Sequence, residues 1–214
     1  MLIHHPSNLA HIAIPKTGST SLHYALQRAL GVEWSFDNRS PALYHMFASD
    51  ARRLLGRKRW PQLHSVAVVR NPYDRTVSLF HDFRNRGLVR ARSFDAFARE
   101  DLADLAAKDV HFLPQHRFVR EDGQILVKRL YAFEDGVQAI FDDMCARLDL
   151  KAHAAPHARK SVRRDWGEYY VRRDTLARVT QIYAEDFALL GYAALTDPPA
   201  PAAPVDAAAQ ADAG

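Results

Sequence analysis

His11-Ile12-Ala13-Ile14-Pro15-Lys16-Thr17-Gly18-Ser19-Thr20-Ser21-Leu22 runs from an apolar strand, through a tight turn, into the start of a helix. Residues 9–14 read as the first strand, and Pro15 ends it because proline cannot donate to a sheet ladder. Gly18 permits a positive φ or a close approach of the backbone to a ligand. Leu22, Ala25, Leu26, Ala29 and Leu30 recur at helical spacing over residues 19–30, and Gly31 stops them. Free N–H groups at a helix start, with hydroxyls on Ser19, Thr20 and Ser21 and Lys16 alongside, suit a phosphate or similar oxyanion. The stretch is not a Walker A loop, in which lysine follows the second glycine; here Lys16 precedes the only glycine. Taken alone, it also fits an ordinary strand–turn–helix corner with a surface lysine.

A second stretch, Ser65-Val66-Ala67-Val68-Val69-Arg70-Asn71-Pro72-Tyr73-Asp74-Arg75-Thr76-Val77-Ser78-Leu79-Phe80, repeats the pattern. Residues 65–69 form a β-branched run of the kind buried on both faces in a parallel sheet. Asn71 suits an N-cap, Pro72 the first helical position and Asp74 the first turn of a helix reaching about Asn85. Arg70 then stands at the strand's carboxyl end. Ser78 lies two turns into the helix, on the face of Asn71 and Asp74. An arginine and a hydroxyl so placed can bind a second phosphate.

Pro15-Lys16-Thr17-Gly18-Ser19-Thr20-Ser21 resembles the 5′-phosphosulfate loop of sulfotransferases, and Arg70-Asn71-Pro72-Tyr73-Asp74-Arg75-Thr76-Val77-Ser78 resembles their 3′-phosphate motif. The order and gap of the two motifs fit as well. The likeness is to the carbohydrate-type branch with its short bacterial members. It continues through Phe112-Leu113-Pro114-Gln115, Phe133-Glu134 and the Tyr-rich C-terminal helix, covering roughly residues 9–192. The resemblance implies 3′-phosphoadenosine 5′-phosphosulfate (PAPS) as co-substrate and an α/β fold: one domain, a mainly parallel sheet flanked by helices, similar to P-loop NTPases. It assigns the 5′-phosphosulfate to Lys16, Thr17, Gly18, Ser19, Thr20 and Ser21, and the 3′-phosphate to Arg70 and Ser78. A basic loop before the last helices, matched loosely by Lys160 and Ser161, would cover the 3′-phosphate. Lys16 would neutralise charge on the leaving oxygen. His45, between the two motifs, matches the family's base, since a histidine can take the acceptor's proton near neutral pH.

Composition agrees with that picture. The 214 residues are 48% hydrophobic and 25% charged, as in a soluble globular protein with a substantial core. The net charge of +4 suits an anionic co-substrate and does not require nucleic acid. Cys145 is the only cysteine, which excludes an internal disulfide and makes a reducing compartment the default; it falls in a helical apolar pattern. No apolar run is long enough for a transmembrane helix, and the first residues do not read as a secretory signal, so a cytoplasmic location is expected. No metal is expected: His153 and His157 are interrupted by Pro156, and His111 and His116 lack a third ligand.

The remaining segments fill in the domain, assigned to residues 1–194. Residues 31–44 read as an irregular segment that could line an acceptor cleft or be a surface loop. The basic cluster Arg84, Arg86, Arg90 and Arg92 reads as a solvated face. Ser93 suits an N-cap for a helix carrying Phe94, Phe97, Leu102 and Leu105. His111, Gln115 and His116 are secondary acceptor-site candidates by resemblance. Gln124–Tyr131 reads as one strand, Phe133-Glu134 as the start of a helix, and Asp174 as the N-cap of a closing helix that Gly191 stops. Residues 195–214, Ala- and Pro-rich, read as a disordered tail.

The expectation is therefore transfer of a sulfuryl group from PAPS to a hydroxyl acceptor, with a carbohydrate suggested by likeness alone. Two other readings stay open. One is an ATP-dependent P-loop-like phosphotransferase, opposed by the lysine placement and the lack of a Mg²⁺ carboxylate at a strand end. The other is a non-catalytic nucleotide or nucleic-acid binder, opposed by the absence of a recognisable nucleic-acid motif.

Overall fold

A computed structural model describes residues 1–32, 44–156 and 163–200. Its centre is a four-stranded sheet in the order β1 (Leu2–His4), β2 (Leu9–Ile12), β3 (His64–Val69) and β6 (Arg129–Ala132). β1 runs antiparallel to β2; β2, β3 and β6 run parallel, with Ile12 opposite Ala67 and Val69 opposite Ala132. The mainly parallel sheet matches the sequence reading, with β1 added at one edge. A separate hairpin pairs β4 (Arg120–Glu121) with β5 (Gln124–Ile125).

Alternation along the strands divides the core. Ala10, Ile12, Ala67 and Val69 pack with Trp60, Leu63, Phe118 and Val119 on one face, beside α2 (Ala48–Leu55) and the short α5 (His116–Val119). Leu9, Val66, Val68 and Tyr131 pack on the other against α1 (Ser19–Leu30) and α6 (Val137–Leu148), through Leu22, Leu26, Ile140, Phe141 and Met144. Cys145 is buried there, as its apolar pattern indicates.

A third cluster contains no strand residue. The helix opening at Pro72, α3 (Pro72–Asn85), carries Tyr73, Val77 and Phe80 along one face, and that face meets a helical layer rather than the sheet. The layer contains α4, built of Phe94–Ala96, a π-helical stretch Phe97–Asp101 and Leu102–Lys108, together with α7 (Arg173–Ile182) and α8 (Ala184–Leu190). Aromatic rings fill it: Tyr73 lies 5.1 Å from Tyr170 and 4.7 Å from Phe187, centroid to centroid. Asn71 caps α3 by accepting the Tyr73 N–H, and Ser93 caps α4 by accepting the Ala96 N–H, as their sequence positions suggested.

Several element boundaries differ from the sequence pattern for local reasons. β2 stops at Ile12 because side chains take the next carbonyls: His45 bonds Ala13 O and Thr17 bonds Ile14 O. Gln124–Tyr131 is two strands. Leu126 N–H stays with Val119 O, while Lys128 N–H has crossed to Ser65 O and starts the run along β3. Phe133–Asp135 is a 3₁₀ turn, and α6 begins beyond Gly136. The closing helix is broken at Tyr183 into α7 and α8. Arg172 stands at its N-cap, and the Asp174 carboxylate instead pairs with Arg172 and accepts the Thr175 N–H. Residues 195–200 lie against the helical layer: Leu195 N–H donates to Tyr73 Oη, and Asp197 pairs with Arg173. Residues 201–214 lie outside the described residues.

One polar bracket ties the two layers together. Gln115, fully buried, accepts the Arg70 N–H at 2.9 Å and donates to Arg70 O at 2.7 Å, so it extends the end of β3 as a neighbouring strand would. Asp186 on α8, also fully buried, accepts the N–H groups of Gln115 and His116 and pairs with the His116 ring. A Gln115→Leu variant leaves both backbone groups of Arg70 without partners, each at a cost of about 1–3 kcal/mol. Urea unfolding should show that loss as a lower midpoint at unchanged slope.

Candidate functional site

The carboxyl ends of β2, β3 and β6 lie side by side, and the segments leaving them are Ala13–Ser21, Arg70–Asn71 and Phe133–Glu134. Open α/β sheets bind ligands at this edge. The first segment turns through two left-handed residues, Lys16 at φ 68° and Gly18 at φ 76°. Gly18 is the N-cap of α1 and supplies no side-chain cap, and the first turn carries no acid. The leading N–H groups of the helix are thus left for an anion. At Gly18 a Cβ would come within 3.0 Å of both Phe133 and Val137, so the backbone there is pressed against the third segment and only glycine fits. Thr17 spends its hydroxyl on Ile14 O, whereas Ser19 and Ser21 are nearly buried at the helix start and Thr20 is half-buried.

Arg70 links the segments. Nη1 donates to Lys16 O at 2.9 Å, Nε and Nη2 reach Asp74, and the guanidinium lies 4.1 Å from the Phe133 ring centroid. Burial lowers its pKa, and the Asp74 carboxylate opposes that shift. Arg75 does the same from the other side: fully buried, it donates Nε–H to Pro15 O at 3.0 Å and Nη2–H to His111 O at 2.8 Å. Glu134 accepts the Asn71 N–H at 2.7 Å and the Tyr192 hydroxyl at 2.8 Å, which closes the third side.

Along α3 the side chains facing this edge follow at one-turn intervals. Asp74 holds Arg70 and also Arg163. Ser78 is nearly buried, and among the described residues its hydroxyl has no hydrogen-bond partner. Asp82 meets the Lys16 ammonium at 3.4 Å. The structure therefore gathers Lys16, the 17–21 loop, Arg70 and Ser78 at one edge, as the two motifs required. Lys160 and Ser161 lie outside the described residues. Among the described residues of that basic segment, Arg163 reaches the site by pairing with Asp74.

His45 is also at this edge. Its Nδ1–H donates to Ala13 O at 2.6 Å. A carbonyl only accepts, so the partner fixes the tautomer and leaves the lone pair on Nε2. Burial lowers its pKa to about 3, with His111, the N-terminal amine and Arg75 adding to the shift, so the ring is neutral at pH 7. The His111 ring lies 5.3 Å from it. Gln115 and His116 are corrections to the acceptor-site expectation. Gln115 is committed to Arg70's backbone and His116 to Asp186. Among the described residues no group of three His, Cys, Asp or Glu could hold a metal ion, and no helix is long and apolar enough to cross a membrane.

Sequence reasoning passed over Arg75, Asp82 and Asp109. Arg75 stands one helical turn beyond Asn71 within the second motif, and Asp82 one turn beyond Ser78; helical spacing from residues already chosen would have found both. Behind the site, His11 and His23 share a hydrogen bond of 2.7 Å between Nδ1 and Nε2, both fully desolvated. Burial lowers the His11 pKa to about 3 and puts that of His23 well below its ordinary value.

A model of the sulfotransferase family matches residues 1–193. A crystal structure of a sulfotransferase from Alicyclobacillus acidocaldarius aligns with 86% of this chain and 95% of that one, at 17% identity and a TM-score of 0.42. No curated protein matches the sequence significantly.

The buried histidines carry a pH dependence. His11, His23 and His45 stay neutral in the folded chain to far lower pH than in the unfolded chain, where they titrate near ~6.5. Below that value the unfolded state binds more protons, so stability is full above ~6.5 and is lost as pH falls from there toward the depressed folded values. Thermal melts from pH 8 to 4.5 should show the midpoint falling from just below pH 6.5, above the range in which carboxylates titrate.

Proposed function

The chain belongs to the sulfotransferase family, and from that premise we propose that it moves a sulfuryl group from PAPS to a hydroxyl on an acceptor, with a carbohydrate or glycoconjugate as the acceptor class. The observation that carries this reading is the bond from Arg70 Nη1 to Lys16 O. It makes the two phosphate motifs one site, which suits a nucleotide with phosphates at both its 5′ and 3′ positions better than one with a 5′ chain alone.

In this reading the N–H groups at the start of α1 and the hydroxyls of Ser19 and Thr20 hold the 5′-phosphosulfate. Ser78 and Arg70 take the 3′-phosphate, and Arg163, already turned toward Asp74, adds charge from the far side. Arg70 keeps N–H groups beyond those spent on Asp74 and Lys16, since a guanidinium has five. Lys16 leaves Asp82 to neutralise the bridging oxygen as the S–O bond to the 5′-phosphate breaks; such preorganised charge is often the largest catalytic contribution. His45, with its lone pair on Nε2, accepts the acceptor's hydroxyl proton. The residue set needs no metal for these steps.

Two measurements test the reading. Calorimetry with adenosine 3′,5′-bisphosphate should give tight binding without Mg²⁺, and Ser78→Ala should weaken it by roughly 10- to 100-fold, the worth of one hydrogen bond to a charged group, while leaving adenosine 5′-phosphate unaffected. Clear binding of ATP with Mg²⁺ and none of the bisphosphate would move the phosphotransferase reading to first place. Lys16→Ala should abolish turnover of PAPS with the melting temperature retained; turnover at the wild-type rate would remove Lys16 from the mechanism.

A further inference from the structure

His45 and His111 meet edge to face, ring centroids 5.3 Å apart and planes at 74°. The two rings are held differently. His45 is nearly buried, and the loss of water there outweighs the support its carbonyl partner gives an imidazolium. His111 donates Nδ1–H to Asp109 Oδ1 at 2.9 Å, and the same oxygen accepts the His111 backbone N–H at 2.9 Å. The carboxylate accepts only, so the lone pair of His111 is on Nε2, with a negative charge placed behind the ring. A carboxylate so placed orients an imidazole and stabilises its protonated form.

Two further observations tie His111 to the reaction edge. Arg75 bonds Pro15 O and His111 O with one guanidinium, fixing the His111 backbone against the phosphate loop. The His111 side chain keeps 20% of its surface exposed, so it has a path to solvent. Among the described residues its Nε2 has no hydrogen-bond partner. The groups facing it are Asp109 from its own loop, His45 from the segment before α2 and Arg75 from α3, with the Phe83 ring of α3 covering one side at 5.2 Å.

We propose that His111 and Asp109 complete the base of this site: the proton leaving the acceptor hydroxyl comes to rest on His111 Nε2, with Asp109 as its positioning residue. The inference rests on the sulfuryl-transfer reading. In the step, the acceptor oxygen bonds to sulfur, and the bond from sulfur to the 5′-phosphate oxygen breaks, its electron pair leaving with adenosine 3′,5′-bisphosphate. The O–H electron pair stays on the acceptor oxygen. The proton passes from His45 Nε2 to His111 Nε2, directly or through one water, and then to solvent.

The test uses the full chain with PAPS as donor and water as acceptor, following release of sulfate from pH 5 to 9. In wild type the rate should fall on the acid side, where the base of the site is protonated before the reaction. His111→Gln should lower the rate about 10²-fold at neutral pH, the typical size of a general-base contribution, and abolish the acid limb. Asp109→Asn, which keeps the imidazole, should move the limb to lower pH, a shift that a purely structural role would not cause. Histidine ring NMR on the same protein gives a readout independent of turnover. The His45 ring should stay neutral across this range, and Asp109→Asn should move the His111 ring signals, because the carboxylate bonded to Nδ1 is lost. An unchanged acid limb in His111→Gln, or His111 ring signals unmoved by Asp109→Asn, overturns the proposal. Calorimetry with the bisphosphate separates the two levels: if wild type does not bind it, the sulfuryl-transfer reading fails, whereas normal binding with an unchanged limb in His111→Gln removes only the role of His111.

Discussion

The Arg70 guanidinium is bonded to Lys16 O, salt-bridged to Asp74 and laid against Phe133, so one buried cation touches the segments leaving all three parallel strands. A charge that far from water is tolerable only when its N–H groups have partners and a carboxylate lies close. Both conditions are met by residues that also shape the site. The Lys16 carbonyl is available because Lys16 adopts a left-handed backbone, and Asp74 is placed by the helix that Asn71 and Pro72 begin. Gln115 then fixes the Arg70 backbone from behind, and Asp186 fixes Gln115. The chain of dependence runs from α8, in the helical layer, to the phosphate loop at the sheet edge.

Arg75 is a second buried cation of the same kind, and together the two arginines explain how the loop holds its shape without a side-chain cap. Backbone carbonyls of Pro15, Lys16 and His111 are each held by a charged donor. Such bonds are roughly twice as strong as neutral ones. The carboxylates near the site, Asp74, Asp82 and Glu134, are spent as partners for Arg70, Arg163, Lys16 and the Asn71 N–H. The edge thus holds its charged donors already oriented.

The features legible in the sequence were those governed by local rules. Residues 19–30 and 72–85 satisfy helical spacing, with Gly31 and Asn71 at the ends where capping chemistry puts them, and the β-branched run before Arg70 became β3. The two units that carry the candidate phosphate motifs were legible for the same reason, since each is a contiguous strand–turn–helix. What escaped depended on contacts between distant residues. β1 is a strand because β2 offers it an edge. Gln124–Tyr131 divides because Lys128 finds Ser65. Gln115 was an acceptor-site candidate by resemblance, and its commitment to the Arg70 backbone is a contact between distant residues that no local pattern shows. Arg163 reaches the edge through a partner, Asp74, that lies in another part of the chain.

The register of the sheet has a kinetic consequence. Its parallel pairs join residues far apart in sequence, Ile12 with Ala67 and Ala67 with Leu130, so no local hairpin can seed them. Pairings of high contact order form late and slowly, because loop-closure entropy is lost before the contacts are gained. The edge where the strands end exists only once segments from distant parts of the chain have paired, so a ligand held there favours the folded state over the unfolded one.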